Sequence, residues 1–182
     1  DFRFKMRVWY LGSQESVCPG CSRGCNINIH YEKSRPYHLK EERVMRLKPR
    51  EIPTVNRWWM CDRGRHDFPY INADQRVMQA RIKDEAWPVI GACEEAGKRL
   101  AEAAKADASA VAGLASAWLT LEELHLFKTL FAEVLKCPNL GVLAQADWEA
   151  RKFEKFEIAA DRNPNRAGAT LIFGDGAEAR AN

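Results

Sequence analysis

Residues 17–25 read Val17-Cys18-Pro19-Gly20-Cys21-Ser22-Arg23-Gly24-Cys25, and residues 56–65 read Asn56-Arg57-Trp58-Trp59-Met60-Cys61-Asp62-Arg63-Gly64-Arg65. Three cysteines fall within eight residues, and a fourth follows after a gap of 35. A C-x2-C step lets two thiolates of one tight loop reach neighbouring metal atoms. The x3 step reaches a third corner, and the fourth ligand closes the site from elsewhere. Four soft anionic ligands arranged in this way suit a four-iron cubane. Structural zinc modules normally use two C-x2–4-C pairs, and no second pair surrounds Cys61. Disulfide scaffolds spread their cysteines through a short secreted chain. The spacing therefore favours a [4Fe–4S] cluster on Cys18, Cys21, Cys25 and Cys61, with zinc as the main rival.

The flanks fit that chemistry. Gly20 and Gly24 permit the unusual backbone angles of such a loop and leave N–H groups free to point at sulfur. Arg23, Arg63 and Arg65 supply positive charge beside a thiolate-rich centre. Trp58 and Trp59 are placed to shield it from water or to pack in the core, and at least one of them is expected to be a core residue.

Working outward, residues 2–10 alternate roughly between apolar and basic and read as a strand. Residues 26–31 alternate cleanly, with Ile27, Ile29 and Tyr31 on one face. A turn is expected at Lys33-Ser34-Arg35-Pro36, a strand over 43–48, and a loop over 49–56. The cysteines are thus expected on a small antiparallel meander, three before it and one after.

Composition changes near residue 75. Residues 84–106 are alanine-rich and helix-forming, with Pro88 suited to the first turn. Residues 110–116 and 140–144 read as buried strands. Between them, Thr120-Leu121-Glu122-Glu123 is a capping box opening an amphipathic helix whose stripe is Leu124, Phe127, Leu130, Phe131 and Leu135. Residues 149–168 read as charged loop and 170–174 as a last strand. The strand–helix–strand order implies parallel strands. The expected fold class is α+β to α/β: a cluster-binding β subdomain over 1–75, then a partial α/β, Rossmann-like lobe over 76–182.

Charge follows the same division. Residues 1–70 hold 14 Lys/Arg against 8 Asp/Glu, and residues 71–182 hold 14 against 17. The overall charge of +3 is too small to imply a nucleic-acid partner by itself. No apolar run reaches the roughly 18 residues of a membrane-spanning helix, and no signal peptide opens the chain. It begins at Asp1, as a piece of a longer polypeptide would.

VCPGCSRGCNINI and RVMRLKPREIPTVNRWWMCDRGR resemble the cluster-binding segment of the molybdopterin-oxidoreductase superfamily. Within it, the chain is most similar to the large iron–sulfur subunit of NADH:quinone oxidoreductase, respiratory complex I. FRFKMRVWYL, WLTLEELHLFKTLFAEVL and DRNPNRAGA carry weaker parts of the resemblance. It implies one [4Fe–4S] cluster on the four cysteines, lying off the main electron path, and partners among the flavin-bearing and iron–sulfur subunits of the peripheral arm. It also implies a cytoplasmic location on the peripheral side of the inner membrane, with no direct membrane insertion.

Two departures qualify the wider superfamily. Arg63 stands where molybdenum and tungsten relatives commonly carry lysine. Their pterin-holding lobes and the ferredoxin-like region of the complex I subunit are not in this stretch. No complete catalytic site is therefore expected in the chain alone. Alternative readings are the head of a molybdenum or tungsten formate dehydrogenase, the diaphorase arm of a soluble hydrogenase, or a zinc module contacting nucleic acid. Cys93 and Cys137 read as structural residues, Cys93 within the core. His66, five residues after Cys61, is a further candidate ligand that four available cysteines make unnecessary; His30, His38 and His125 lack a partner motif, and Glu122 and Glu123 belong to a helix start.

Overall fold

A computed structural model of the protein describes residues 6–33, 43–155, 157–175 and 178–181. Residues 2–5, the expected turn beyond Lys33, and His38 lie outside the described residues. The chain divides into two compact units, Asp1–Arg76 with Asp147–Pro164, and Val77–Ala146 with Asn165–Asn182. Segment 147–164, which chain order alone groups with the later region, is part of the first unit.

The first unit is built on an antiparallel sheet of β1 (Leu11–Val17), β2 (Asn26–Glu32) and β3 (Val44–Pro49), in that spatial order. β2 and β3 lie where the alternation puts strands. The stretch 2–10 behaves differently: among its described residues, Val8–Tyr10 form a 3-10 turn, and the paired strand starts at Leu11. Gly12-Ser13-Gln14-Glu15-Ser16 are weak strand formers. They are extended because β1 pairs with β2 in unbroken register from Leu11↔Glu32 to Val17↔Asn26, and pairing outweighs propensity. β1 therefore runs directly into Cys18. The first three cysteines occupy the β1–β2 connection rather than preceding the meander, and Cys61 follows β3. Ile27, Val44, Leu47 and Met60 are buried with Cys18 and Cys25 in one core.

The loop after β3 is held by Asn56, which is 2% exposed. Its Oδ1 accepts from the Asn26 N–H at 3.0 Å, and its Nδ2 donates to the carbonyls of Trp59 at 3.0 Å and Arg50 at 3.2 Å. One buried side chain thus ties the path into Cys61 to the start of β2 and satisfies backbone groups that burial would otherwise strand. A short helix, α1 (Asp62–His66), follows at once.

The second unit opens with a hairpin of β4 (Ala80–Ile82) and β5 (Glu85–Trp87). The expected helix over 84–106 consequently begins later, as α2 (Val89–Ala106), with Pro88 at its N-cap. Cys93 on α2 is exposed rather than a core residue, and α2 buries none of its residues fully. β6 (Ala112–Ser116), β7 (Asn139–Gln145) and β10 (Glu178–Ala181) form a parallel sheet in the order β10-β7-β6.

The capping box forms as read: Glu123 N–H donates to Thr120 Oγ1 at 3.2 Å and Thr120 N–H to Glu123 Oε2 at 2.8 Å. It starts α3 (Leu121–Lys128), which passes into a π-helical stretch, Thr129–Val134. The stripe splits there. Leu124 and Leu135 are buried, whereas Leu130 is largely exposed. A side chain at Gly113 would lie 2.9 Å from Phe131 and 3.0 Å from Phe127, so only glycine lets these stacked rings rest on β6.

The apolar run at 170–174 is helix, not strand. α4 (Arg166–Phe173) packs on α3 through Phe173 and Phe127, and ends at Gly174 with φ +84°. A run this short is compatible with either element, and Gly174 serves here as a helix terminator. Cys137 is buried, with its thiol 2.8 Å from the Val111 carbonyl, a structural role.

Candidate metal centre

The β1–β2 connection curls because three local features agree. Cys18 N–H donates to Cys25 O at 2.8 Å, closing the loop at its neck. Gly24 takes φ +64°, a left-handed conformation that costs an L residue about 1–2 kcal/mol. Gly20 lacks this feature, since among the described residues the glycines with positive φ are Gly24 and Gly174. Gly20 serves instead through its N–H, which bonds Cys18 sulfur and favours the thiolate. The Arg23 N–H does the same for Cys21.

Cys61 arrives from the other side. Its thiol is the N-cap of α1 and accepts from the Gly64 N–H at 3.3 Å. Each of these three sulfurs thus has a backbone N–H directed at it, as expected for groups that must carry negative charge. Gly64 also permits a close approach: a Cβ there would lie 3.0 Å from Cys18 Sγ and 3.6 Å from Cys61 Sγ.

All four cysteines line one cavity. Burial, and then the proximity of the other thiols, raises the Cys25 thiol from 9.0 to about 11. Burial likewise raises Cys18 and Cys21, opposed in part by the N–H bonds from Gly20 and Arg23. Each also feels the charge of Cys61. Burial thus disfavours the thiolate at Cys18, Cys21 and Cys25. A cationic centre that binds thiolate would reverse that preference.

Of the cationic residues expected nearby, Arg63 lines the cavity, with its guanidinium carbon 4.1 Å from the centroid of the Trp148 ring. Arg23 also lines it, favours the Cys21 and Cys25 thiolates, and donates to the Val55 carbonyl at 3.0 Å. Arg65 turns away toward Asp62, at 3.8 Å. Trp58 and Trp59 are 58% and 43% exposed, so neither is the core aromatic expected. Met60, at 4%, takes the buried place between them and Cys61.

Residues 13–73 match the model of the molybdopterin oxidoreductase Fe4S4 domain. These residues belong to that domain family. The Fe4S4 domain implies a [4Fe–4S] cluster, and its matched stretch contains every cysteine lining the cavity. Similarity extends beyond the Fe4S4 domain. NADPH-Fe(3+) oxidoreductase subunit alpha of Geobacter sulfurreducens is 30% identical over 152 residues, 82% of this chain and 17% of the relative. NADH-quinone oxidoreductase subunit 3 of Thermus thermophilus is 30% identical over 178 residues, 97% of this chain and 21% of the relative. An NADH-quinone oxidoreductase subunit of Rhizobium meliloti is 29% identical over 150 residues, 82% of this chain and 16% of the relative. The chain thus spans about a fifth or less of the length of these relatives.

The donor set fits the cluster the Fe4S4 domain implies. All four cysteines line one cavity, and a four-iron cubane takes one thiolate at each corner. The first unit also contains a contributor that local spacing did not reveal. Trp148, from the 147–164 segment, lines the same cavity across 87 positions from Cys61.

Proposed function

We propose that Cys18, Cys21, Cys25 and Cys61 hold one [4Fe–4S] cluster, and that the chain is an electron-transfer segment of a large iron–sulfur subunit of the NADH:quinone oxidoreductase type. The single observation that carries this reading is the convergence of all four thiols on one cavity. The bound cluster would supply one-electron redox chemistry. The protein's part is to present four thiolates, to direct backbone N–H groups at their sulfurs, and to hold Arg23 and Arg63 close. Each of these stabilises added negative charge and so raises the reduction potential.

Two relatives named as NADH-quinone oxidoreductase subunits support the assignment to such a complex. In that setting the partners are the flavin-bearing subunit and other iron–sulfur subunits, at the peripheral side of the membrane. Among the described residues, no helix is long and apolar enough to cross a membrane. The strand order β10-β7-β6 with helical crossovers supports reading the second unit as the beginning of a Rossmann-like lobe. A second reading rests on the NADPH-Fe(3+) oxidoreductase relative, equally similar over most of the chain. It places the same cluster in an NADPH-linked enzyme.

Anaerobic purification with iron and sulfide assays tests the cluster directly. The expected result is about four irons with matching sulfide per chain and an EPR signal after dithionite. Cys61→Ser abolishes both, and Cys93→Ser leaves both intact. Stoichiometric zinc without sulfide refutes the reading. Which pyridine nucleotide reduces the complete complex separates the two parent assemblies.

A further inference from the structure

We infer that segment 147–164 is a cover for the cluster cavity and that Trp148 is the residue that closes it. The inference rests on the reading that the four cysteines hold the cluster. The segment folds on itself and on the cysteine loop. Trp148 N–H donates to Ala160 O at 3.0 Å, and its indole N–H donates to Ala159 O. Farther along, β8 (Arg151–Lys152) pairs with β9 (Glu157–Ile158). The return arm is pinned by the Ser22 N–H, between the second and third cysteines, which donates to Asp161 O at 3.1 Å. Asn163, wholly buried, fixes that arm through its N–H and Nδ2, both donating to Asp161 Oδ1 at 2.9 and 2.8 Å.

These bonds place the Trp148 ring, with Glu157 and Ile158, on the wall of the cavity that the cysteines line. Two guanidiniums hold the ring: Arg63 at 4.1 Å and Arg162 at 5.1 Å from the ring centroid. Cation–π contacts of this kind fix an aromatic plane. With its N–H satisfied by a carbonyl, the indole presents only apolar surface to the cavity. Arg63 stands two residues after Cys61, so the same contact couples the cover to the fourth cysteine. The hydrophobic shell of a metal site governs the entry of water. Trp148 would similarly limit the approach of oxidants and chelators to the cluster. It is a positioning residue, acting on access and not as a ligand.

The test uses the anaerobically purified, cluster-loaded protein. Loss of visible absorption and of the dithionite-reduced EPR signal is followed in air-saturated buffer, and separately under anaerobic challenge with a ferrous-iron chelator. Trp148→Ala accelerates loss roughly ten-fold in both, the low end of the effect of altering groups around a metal site. Trp148→Phe retains a ring and stays near the wild-type rate. Loss from Trp148→Ala at the wild-type rate overturns the proposal.

Should Trp148→Ala fail to load, hydrogen exchange in the wild type decides. The amides of Ser22 and Trp148 exchange more slowly in loaded than in chelator-stripped protein if the cover closes on the cluster. Equal exchange overturns it. A wild type without cluster, or Cys61→Ser with one, instead sinks the cysteine assignment beneath it.

Discussion

Replacing Gly64 by alanine separates the needs of the helix from those of the cluster. Gly64 lies in α1 with an ordinary helical backbone, where alanine normally adds up to about 1 kcal/mol. Here the added Cβ would lie 3.0 Å from Cys18 Sγ and 3.3 Å from Met60 Cε. The first is about 0.5 Å and the second about 0.2 Å inside an ordinary non-bonded separation. Met60 ends in a flexible thioether and can yield. In the metal-free protein Cys18 can also rotate away. A Cys18 sulfur bound to iron has no such freedom.

The expected outcome is a metal-free Gly64→Ala protein whose stability is unchanged or higher by up to about 1 kcal/mol in urea unfolding. Its cluster affinity falls roughly 10–100-fold, the usual scale for disturbing a metal's supporting residues. Iron and sulfide content after reconstitution over a range of iron concentrations measures the second effect. Full occupancy with an unchanged EPR spectrum would refute the claim that Gly64 makes room for the Cys18 ligand.

Other outcomes follow from the same geometry. Gly24→Ala forces an L residue to φ +64° and costs about 1–2 kcal/mol, read as a lower urea midpoint. Asn56→Ala leaves the Asn26 N–H and the Trp59 and Arg50 carbonyls without this partner and costs about 3 kcal/mol; a loss below about 1 kcal/mol contradicts its role as the pin of the loop. His30 Nδ1 accepts from Arg46 Nε at 2.9 Å, and burial, then Arg46 and Lys48, push its pKa below 6.5. The folded state thus binds fewer protons than the unfolded one. Its contribution is present above pH 6.5 and is lost as pH falls through the depressed value. Titration of His30 at or above 6.5 by NMR would count against this.

The cysteine-bearing loop was legible because its information is local. Three cysteines within eight residues, Gly24 at the turn, and the alternation in β2 require no knowledge of distant chain. The capping box at Thr120 and Glu123 was legible for the same reason. What sequence missed was decided by tertiary neighbours. β1 is extended by pairing with β2 although its residues resist extension. Trp58 and Trp59 have the composition of core residues, but Asn56 binds the Trp59 carbonyl and Met60 fills the interior position instead. Residues 170–173 are too few for their period to distinguish strand from helix, and Gly174 settles the matter only once its φ is known. Trp148 had no chance of being found by spacing, since its relation to the cysteines exists only after folding.

That separation has a consequence for how the protein is made. Trp148 is translated 87 residues after Cys61. At about 5–20 residues per second, the last cysteine precedes the cover by roughly 4–17 s. During that interval the four thiols can assemble with their cavity still open to whatever delivers iron and sulfide. The order of synthesis therefore permits filling before closure. Trapping nascent chains halted before and after residue 164 and comparing their iron uptake would expose that order, with faster uptake in the shorter chains.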